Sequence, residues 1–236
     1  MKDIAIAIPV WKREHLIDPL IRNIEETTPN ARTIWVCSDN DPTNVYGMLK
    51  DRGQEVWVIK SQTVMCDGKQ WNFADFSRKI NYAFRISEEP LFFTGATDIQ
   101  FQPGWLDKIK EQVAQGYGVI GPRDGYGPLA THALCTREYG ERGSIDNQDC
   151  LLYEGYWHDW VMDEFVETAK YRGAYTESDV LVKHMVHERK WDDDYKNAEP
   201  RIVQGAYVFQ SRLHMIPGAV MHEGGVQHAR EHGFIL

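Results

Sequence analysis

A single acid, Asp98, follows an apolar run and is the first candidate for chemistry. The run LFFTGA leads directly to it, and a Pro103-Gly104 break comes a few residues later. In an open α/β sheet, ligands bind off the carboxyl ends of the strands. A carboxylate in that place could bind a cation or orient a polar ligand, although an acid in a turn can also be a helix cap.

Three other polar clusters follow apolar runs in the same way. They are Lys12-Arg13, Asp39-Asn40-Asp41, and the histidines His184 and His187 of VLVKHMVH. In a strand, His184 and His187 would point to opposite faces, so both could bind one ion only if the strand ended between them. One buried and one exposed histidine is the simpler alternative. An Asx turn would explain the second cluster equally well.

The stretch HDWVMDEF offers three acids, Asp159, Asp163 and Glu164. If a helix begins near Asp159, then Asp159 and Asp163 share a face, and Glu164 lies about 100° further round. An acid in this place could act as a general base on a hydroxyl. Acids at a helix start also serve as caps and as partners of the helix dipole, so both interpretations stay open.

The spacing of apolar residues predicts the elements that must position these side chains. Strands are predicted over 4–10, 33–38, 55–60, 91–95, 117–120 and 180–186, and helices over 16–28, 45–50, 73–84, 105–113 and 160–172. Residues 130–153 and the tail from residue 201 follow no clear period. Strands alternating with helices predict an α/β fold with a mostly parallel central sheet flanked by helices and an elaborated C-terminal half.

Composition bounds the class of protein. The 236 residues, 42% of them hydrophobic, suit one domain with a sizeable core, and the net charge of −9 argues against non-specific phosphate binding by the whole surface. Four widely spaced cysteines predict reduced thiols rather than a disulfide frame or a zinc site. The apolar N-terminus is too short for a signal peptide or a membrane span, so we expect a cytoplasmic protein without a membrane segment.

Two nucleotide-binding classes are excluded by their missing glycine motifs. The first strand is followed by WKREH rather than GxGxxG, and GxxxxGK[ST] occurs nowhere in the sequence. A dinucleotide site of the Rossmann type and a P-loop are therefore not expected.

The order and spacing of several segments resemble GT-A glycosyltransferases, close to the family 2 nucleotide-sugar enzymes and their short relatives in phages. The matching segments are IAIPVWKR, VCSDND, GKQWNFADFSRKINYAF, FFTGATDIQFQPGWLDK, HDWVMDEFVETAKYRG and VLVKHMVH, which span roughly residues 3 to 196. The resemblance implies a GT-A domain over residues 1–200, with a nucleotide-sugar-binding half at 1–121, an acceptor-side half at 122–200 and a tail at 201–236.

The resemblance also implies where the donor and a divalent cation, Mn²⁺ or Mg²⁺, would bind. Family members usually carry an Asp-x-Asp or Asp-Asp pair, whereas this chain has Ala96-Thr97-Asp98. Asp98 and His184 are the implied metal ligands. The implied donor-binding residues are Pro9, Trp11, Arg13, Asp39, Asp41, Lys69, Asn72, Thr97 and Asp98. Of these, Trp11 would stack on the base and Arg13 would meet a phosphate.

On the acceptor side, the family's Glu-Asp motif aligns with His158-Asp159. The resemblance implies Asp159 as the base, with Glu164 as a second catalytic candidate and His158 as the orienting residue. Trp157 and Trp160 would form a sugar platform.

The expected function is transfer of a sugar, UDP being the usual carrier in the family, to an acceptor hydroxyl. The acceptor is a glycan or a hydroxymethylated base in phage DNA, for which Lys183, Arg189, Lys190, Lys196 and Arg201 would line a basic groove. The alternative is a non-catalytic nucleotide-sugar or glycan-binding module that has lost the full acidic pair.

Overall fold

A computed structural model describes residues 2–66, 68–125, 130–185 and 199–221, with side chains from residue 202 in the last segment. Within these residues the strands are β1 Ile4–Val10, β2 Ala31–Ser38, β3 Glu55–Ile59, β4 Thr63–Cys66, β5 Lys69–Asn72, β6 Leu91–Thr94, β7 Ile99–Phe101, β8 Val119–Arg123, β9 Leu134–Thr136 and β10 Tyr175–His184. The helices are α1 Glu14–Thr27, α2 Val45–Asp51, α3 Asp75–Ile86, α4 Trp105–Ala114, α5 Arg137–Gly140, α6 Val161–Tyr171 and α7 Glu199–Arg212.

Eight of these strands form one sheet in the order β3-β2-β1-β6-β9-β8-β10-β7. Strands β1, β2, β3 and β6 pair in parallel, and so do β8 and β10. Strand β9 is antiparallel to both of its neighbours, and β7 is antiparallel to β10 at the edge. Because β6 and β8 are both antiparallel to β9, which lies between them, they run in the same direction. The mostly parallel sheet predicted from the sequence is confirmed.

Helices cover both faces of the sheet, which gives three layers. The alternation in β1 shows the reason, since Ile4, Ile6 and Ile8 pack with α1 and α4, whereas Ala5 and Ala7 pack with α3 and α6. The short alanines let α3 approach β1 closely on the second face. Every residue of β1 except Pro9 is fully buried, as expected for a central parallel strand.

Strand β7, which follows Asp98, is anchored from the side. The amide group of Asn23 on α1 accepts from Phe101 N at 2.8 Å and donates to Phe101 O at 3.0 Å. Both backbone groups of an edge residue are thus satisfied, which limits pairing with another chain. The anchor also fixes the chain that leaves Asp98.

Helix α7 packs on α6 and the loop before it, although the sequence showed no period there. Phe209 lies 5.6 Å from the ring of Trp160, measured between centroids. Arg212 binds the carboxylates of Glu164 and Asp146 with distances of 2.7 to 2.9 Å. The helix is therefore part of the packed core around α6. None of the described helices combines the length and the apolar character that crossing a membrane requires.

Candidate functional site

Polar side chains from distant parts of the chain meet at the carboxyl edge of the parallel strands. Arg13 follows β1, Asp98 follows β6, Asp124 follows β8, and His184 ends β10. The register of β1 with β2 and β6 places these ends at one edge. This is the edge at which an open α/β sheet binds its ligands.

Asp98 is the centre of the cluster. Its side chain is 2% exposed, and Oδ2 accepts from Arg13 Nη1 at 3.1 Å. Nε2 of His184 lies 3.6 Å from the same oxygen. Burial lowers the pKa of His184 to about 4, opposed by the charge of Asp124 and aided by that of Arg13. At neutral pH the imidazole is uncharged, so it can offer a lone pair.

Backbone contacts hold the carboxylate and the imidazole in register. Met185 N donates to Asp98 O, and His184 N donates to Asp124 O, both at 2.9 Å. The turn before Asp98 needs Gly95, because a Cβ there would lie 2.7 Å from Ala7 O and from a methyl group of Ile8. In the sequence GATD, Gly95 therefore allows the chain after β6 to pass close to β1, and this places Asp98 at the carboxyl edge of the sheet.

A hydroxyl and a second acid orient His184. Thr131 Oγ1 donates to Asp124 Oδ2 at 3.0 Å, and His184 Nδ1 lies 3.5 Å from the same hydroxyl oxygen. Because the hydroxyl proton goes to Asp124, its oxygen accepts from Nδ1–H of the imidazole. This tautomer leaves the lone pair on Nε2, the nitrogen that faces Asp98. A carboxylate behind a metal-binding histidine commonly serves this purpose.

The pair of Asp98 and His184 fits a divalent cation as two of its ligands. An anionic oxygen and an uncharged imidazole nitrogen 3.6 Å apart suit adjacent positions around one ion. Among the residues that the structure describes, no group of three or more His, Cys, Asp or Glu side chains could hold a metal. The remaining coordination would come from a ligand and water.

The loop after β1 has an unusual backbone. Lys12 and Arg13 are both left-handed, with φ of 57° and 59°. Residues other than glycine hold this conformation only when their surroundings impose it. One constraint is Asp41, whose Oδ2 accepts from Lys12 N at 2.8 Å, while its Oδ1 accepts from Thr43 N at 2.9 Å. The strained turn aims Arg13 at Asp98.

Both acids that follow β2, Asp39 and Asp41, accept hydrogen bonds from backbone N–H groups of nearby loops. Asp39 is exposed, and its Oδ1 accepts from Ser61 N at 2.8 Å. Asn40 Nδ2 donates to Asn72 Oδ1 at 2.9 Å, which brings the hairpin of β4 and β5 beside this loop. Lys69 is exposed and begins β5, three residues before Asn72. Trp11 and Pro9 are half-buried at the end of β1.

Lys79 bonds to the carboxyl end of β1 beneath the candidate site, and the sequence did not predict this role. It is fully buried on α3, and Nζ donates to Val10 O at 2.6 Å and to Asp75 Oδ2 at 2.5 Å. Asp75 Oδ1 accepts from Ser38 Oγ at 2.8 Å. One buried ion pair thus joins the ends of β1 and β2 to α3. A lysine inside the apolar face of a predicted helix was the available signal.

The two acids that the resemblance placed on the acceptor side, Asp159 and Glu164, lie in different environments. Asp159 precedes α6, and its Oδ2 is buried with no hydrogen-bond partner among the described residues. A buried oxygen without a partner is a place for a ligand hydroxyl. His158 beside it is exposed, with its ring 5.7 Å from that of Phe76. Trp157 is half-buried, and its N donates to Gln204 Oε1 on α7 at 3.0 Å.

Glu164 and Trp160, expected at the site, face the interior instead. Glu164 Oε2 accepts from Tyr156 OH and from Arg212 Nε, both at 2.7 Å, and Oε1 accepts from Arg212 Nη2 at 2.9 Å. Trp160 is 7% exposed and packs on Phe209. The helix begins at Val161, so residue 164 lies on its buried face. These contacts are those of structural residues.

His132 is a further residue at the edge that the sequence did not reveal. Its ring is 5.2 Å from that of His184, between centroids, and Nδ1 donates to Thr94 O at 2.8 Å. Burial, together with the neighbouring His184, lowers the pKa of His132 to about 3. It lies there because β9 is antiparallel and begins where the parallel strands end. Three residues of strand are too few for a period to show.

Several residues that the sequence predicted to be functional lie outside the part of the chain that the structure describes. Strand β10 ends at His184, two residues earlier than predicted, and His187 lies outside the described residues. The expected basic groove is also largely outside them. Only Lys183 among its five members has a described side chain, and it is half-buried on β10.

Sequence comparison finds no matching family model and no similar curated protein. Comparison of structures does find similar folds. A mannosyltransferase from Pyrobaculum calidifontis, solved with GDP-Man and Mn²⁺, superposes with a TM-score of 0.60 at 15% identity, over 97% of this chain and 72% of that one. Glucosyl-3-phosphoglycerate synthase from Mycobacterium tuberculosis, solved with Mn²⁺, UDP-glucose and phosphoglyceric acid, gives 0.60 at 10% identity, over 94% and 82%.

TarS 1–349 from S. aureus gives a TM-score of 0.56 at 12% identity, over 99% of this chain and 80% of that one. At such identities the likeness concerns the fold. The chain has the GT-A fold of nucleotide-sugar glycosyltransferases, as its motifs predicted.

Proposed function

We propose that this protein is a glycosyltransferase that moves a sugar from a nucleotide-diphosphate sugar to an acceptor hydroxyl. The observation that carries the proposal is the meeting of Asp98 and His184, 3.6 Å apart, at the carboxyl edge of a GT-A sheet. The two residues are 86 positions apart in the sequence, and the fold brings their side chains together. UDP is the first carrier to test, followed by GDP, because the neighbours' structures contain UDP-glucose and GDP-Man.

Asp98 and His184 would hold Mn²⁺ or Mg²⁺, the former being present in two of the neighbours' structures. When bound, the cation neutralises negative charge on the diphosphate as the bond between sugar and phosphate breaks. Thr131 and Asp124 keep the Nε2 lone pair of His184 available for it.

Arg13 would turn from Asp98 to a donor phosphate. In the structure its guanidinium neutralises the carboxylate, and a phosphate pair offers the bidentate geometry that arginine prefers. The nucleoside would lie over the neighbouring loops, with Trp11 against the base. We propose as its other contacts Pro9, Asp39, Asp41, Lys69, Asn72 and Thr97.

Asp159 is the proposed base. Its carboxylate takes the proton of the acceptor hydroxyl while that oxygen bonds to the anomeric carbon, and the bond from this carbon to the phosphate oxygen breaks as the diphosphate leaves. His158 would orient Asp159, and Trp157 would face the sugar. Glu164 and Trp160 are assigned structural roles by their contacts. Residues 1–121 would bind the donor and 122–200 the acceptor, with α7 supporting the second half.

A thermal-shift panel of UDP, GDP and dTDP, with and without Mn²⁺, tests the donor site. A ligand that binds only the folded state raises the melting temperature by mass action. We expect one nucleotide to do so strongly only with Mn²⁺ in the wild type, and weakly in Asp98→Asn. Asp107→Asn, an exposed acid on α4, is the matched control. An equal shift in Asp98→Asn and the wild type would contradict the proposed site.

Slow hydrolysis of the matching nucleotide sugar separates an enzyme from a binding module. We expect nucleoside diphosphate to be released with Mn²⁺ by the wild type and about 100-fold more slowly by Asp159→Asn, because a positioned base typically contributes 10²–10⁴-fold. Water replaces the acceptor in this assay. Binding of the donor without release under any condition would favour the binding module.

The acceptor is proposed to be a glycan hydroxyl rather than a hydroxymethylated base in phage DNA. The net charge of −9 disfavours a polyanion. Transfer to a glycan should change little between 50 and 200 mM salt, whereas binding of DNA through several phosphates would weaken by orders of magnitude over that range. A steep salt dependence of transfer would instead identify DNA as the acceptor.

A further inference from the structure

His132 carries a buried lone pair that no part of the proposed mechanism uses. Nδ1 lies 2.8 Å from Thr94 O, and since a carbonyl oxygen only accepts, the ring proton is on Nδ1. Nε2 is therefore an acceptor. It is shielded from solvent and has no hydrogen-bond partner among the described residues. Most buried polar atoms are paired, so an exception of this kind is a place where a ligand group or a water molecule can bind.

The direction of this acceptor follows from the shape of the ring. The two nitrogens of an imidazole point widely apart, and Nδ1 is fixed on the last residue of β6. Nε2 consequently points away from Thr94 O. His184 of the proposed cation pair is the neighbouring ring, 5.2 Å away between centroids.

A line of rings runs from His184, one of the two proposed metal ligands, to His158, which is next to the proposed base Asp159. The ring of Phe76 lies 6.4 Å from that of His132 and 5.7 Å from that of His158, between centroids. The line begins beside half-buried His184 and reaches the surface at His158, which is exposed and precedes Asp159. In the proposed reaction the transferred sugar lies between the cation and the base, which is the region that this line borders.

We propose that His132 Nε2 accepts a hydrogen bond from one hydroxyl of the transferred sugar and thereby selects which sugar is transferred. The inference rests on the proposed function. Phosphate oxygens only accept, so the diphosphate cannot fill this role. A third metal ligand is disfavoured, because the described residues contain no group of three or more ligating side chains suited to a metal. A sugar hydroxyl is the donor that a nucleotide sugar brings.

The test measures the binding of a nucleotide sugar and of its deoxyfluoro analogues by calorimetry with Mn²⁺. The probes are UDP, UDP-glucose and the 2-, 3-, 4- and 6-deoxyfluoro forms of UDP-glucose, or the corresponding GDP-mannose series if the panel selects GDP. Fluorine replaces a hydroxyl without donating, so the analogue altered at the recognised position loses the bond to His132. That loss should weaken wild-type binding by roughly 10- to 100-fold.

Two variants separate recognition from structure. In His132→Asn the amide nitrogen takes the place of Nδ1 and keeps the bond to Thr94 O, while the acceptor at the Nε2 position is removed. We expect this variant to bind the parent sugar as weakly as the critical analogue, to bind all analogues within about threefold of each other, and to bind UDP as the wild type does. His132→Gln returns an acceptor oxygen near the Nε2 position and should restore part of the discrimination.

His15→Asn, on the exposed face of α1, is the matched control and should leave every affinity unchanged. The proposal is overturned if His132→Asn and the wild type discriminate equally among the analogues, or if His132→Asn loses UDP binding in the same proportion as sugar binding. If the wild type binds the nucleotide and the nucleotide sugar but binds every analogue equally well, the proposal for His132 is overturned while the proposed function stands. If the wild type binds no nucleotide with or without Mn²⁺, the proposed function falls with it.

Discussion

At the scale of single residues, the candidate site depends on which side chains are already engaged. Asp98 is paired with Arg13, whereas His184 directs its Nδ1 proton to Thr131, which leaves the Nε2 lone pair without a donor from Asp98, 3.6 Å away. In the proposed metal site, an oriented imidazole therefore accompanies the single carboxylate of Asp98. If this orientation assists the binding of a cation, loss of the Thr131 hydroxyl should weaken that binding.

Thr131→Val should weaken Mn²⁺ binding about 10-fold while leaving the fold intact. Valine keeps the shape of threonine but removes the hydroxyl between His184 and Asp124, and residues that orient metal ligands typically contribute 10- to 100-fold in affinity. Electron paramagnetic resonance of free Mn²⁺ in the presence of nucleoside diphosphate measures the change. Thr131→Ser restores the hydroxyl and should restore the affinity. Wild-type affinity in Thr131→Val would show that the hydroxyl does not orient His184.

The sequence predicted part of this site, and the reason for its limits is physical. Asp98 and His184 could be found because each ends an apolar run, which marks the carboxyl edge of a strand. His132 and Lys79 could not be found in that way. His132 precedes a strand of three residues, and Lys79 lies on a helix face where only the fold shows which backbone oxygen it meets.

At the scale of elements, strands buried on both faces were predicted well, whereas short or half-exposed ones were not. The half-exposed β10 begins at Tyr175, five residues before its predicted start. β1 was predicted with its observed limits, and α4 differs by one residue. The hairpin of β4 and β5 was missed because its strands are half-exposed and only four residues long, although an Asp-Gly pair between apolar residues is a hairpin signal. α7 was missed because its contacts come from α6 and the loop before it.

Arg212→Met should lower the free energy of unfolding by about 3–5 kcal/mol. The change leaves the carboxylate of Glu164, 4% exposed, without its charged partner, and an uncompensated buried charge is costly. Urea denaturation measures the effect. The matched control is Arg52→Met, which breaks an exposed ion pair with Asp18 and should cost at most about 1 kcal/mol. Similar losses in the two variants would show that the Arg212 network stabilises no more than a surface pair.

Gly205→Ala should impair catalysis by displacing α7 from the segment that carries Asp159. The added methyl would lie 2.7 Å from Asp159 O and 2.6 Å from the ring of Trp160. Since misplacing a catalytic group by about 1 Å can cost 10²-fold, we expect kcat for donor hydrolysis to fall about 10- to 100-fold, with nucleotide affinity preserved. Gln210→Ala, exposed on the same helix, should change neither. Unaltered kcat in Gly205→Ala would argue that α7 does not position Asp159.

At the scale of the whole molecule, two histidines with lowered pKa values, buried His132 and half-buried His184, couple stability to pH. Their pKa values are lowered to about 3 for His132 and about 4 for His184, below the ordinary value near 6.5. As the pH falls below about 6.5, the unfolded chain takes up two protons that the folded chain does not.

Stability should therefore decrease from pH 6.5 towards pH 4, by up to about 1.4 kcal/mol per pH unit for each histidine once the unfolded state is fully protonated. Urea denaturation at a series of pH values measures the slope. His132→Asn should remove about half of the contribution that the two histidines make to the slope. A slope equal to that of the wild type in His132→Asn would mean that residue 132 is not held uncharged in the folded protein.

The position of β9 between β6 and β8 also has a consequence for synthesis on the ribosome. β1, β2, β3 and β6 are complete at residue 94, but the strand that covers β6 arrives only with residues 134–136. At about 5–20 residues per second, the apolar edge LFFT waits for a few seconds without its neighbour. We expect nascent chains that stall in this interval to be the ones that chaperones bind and that aggregate.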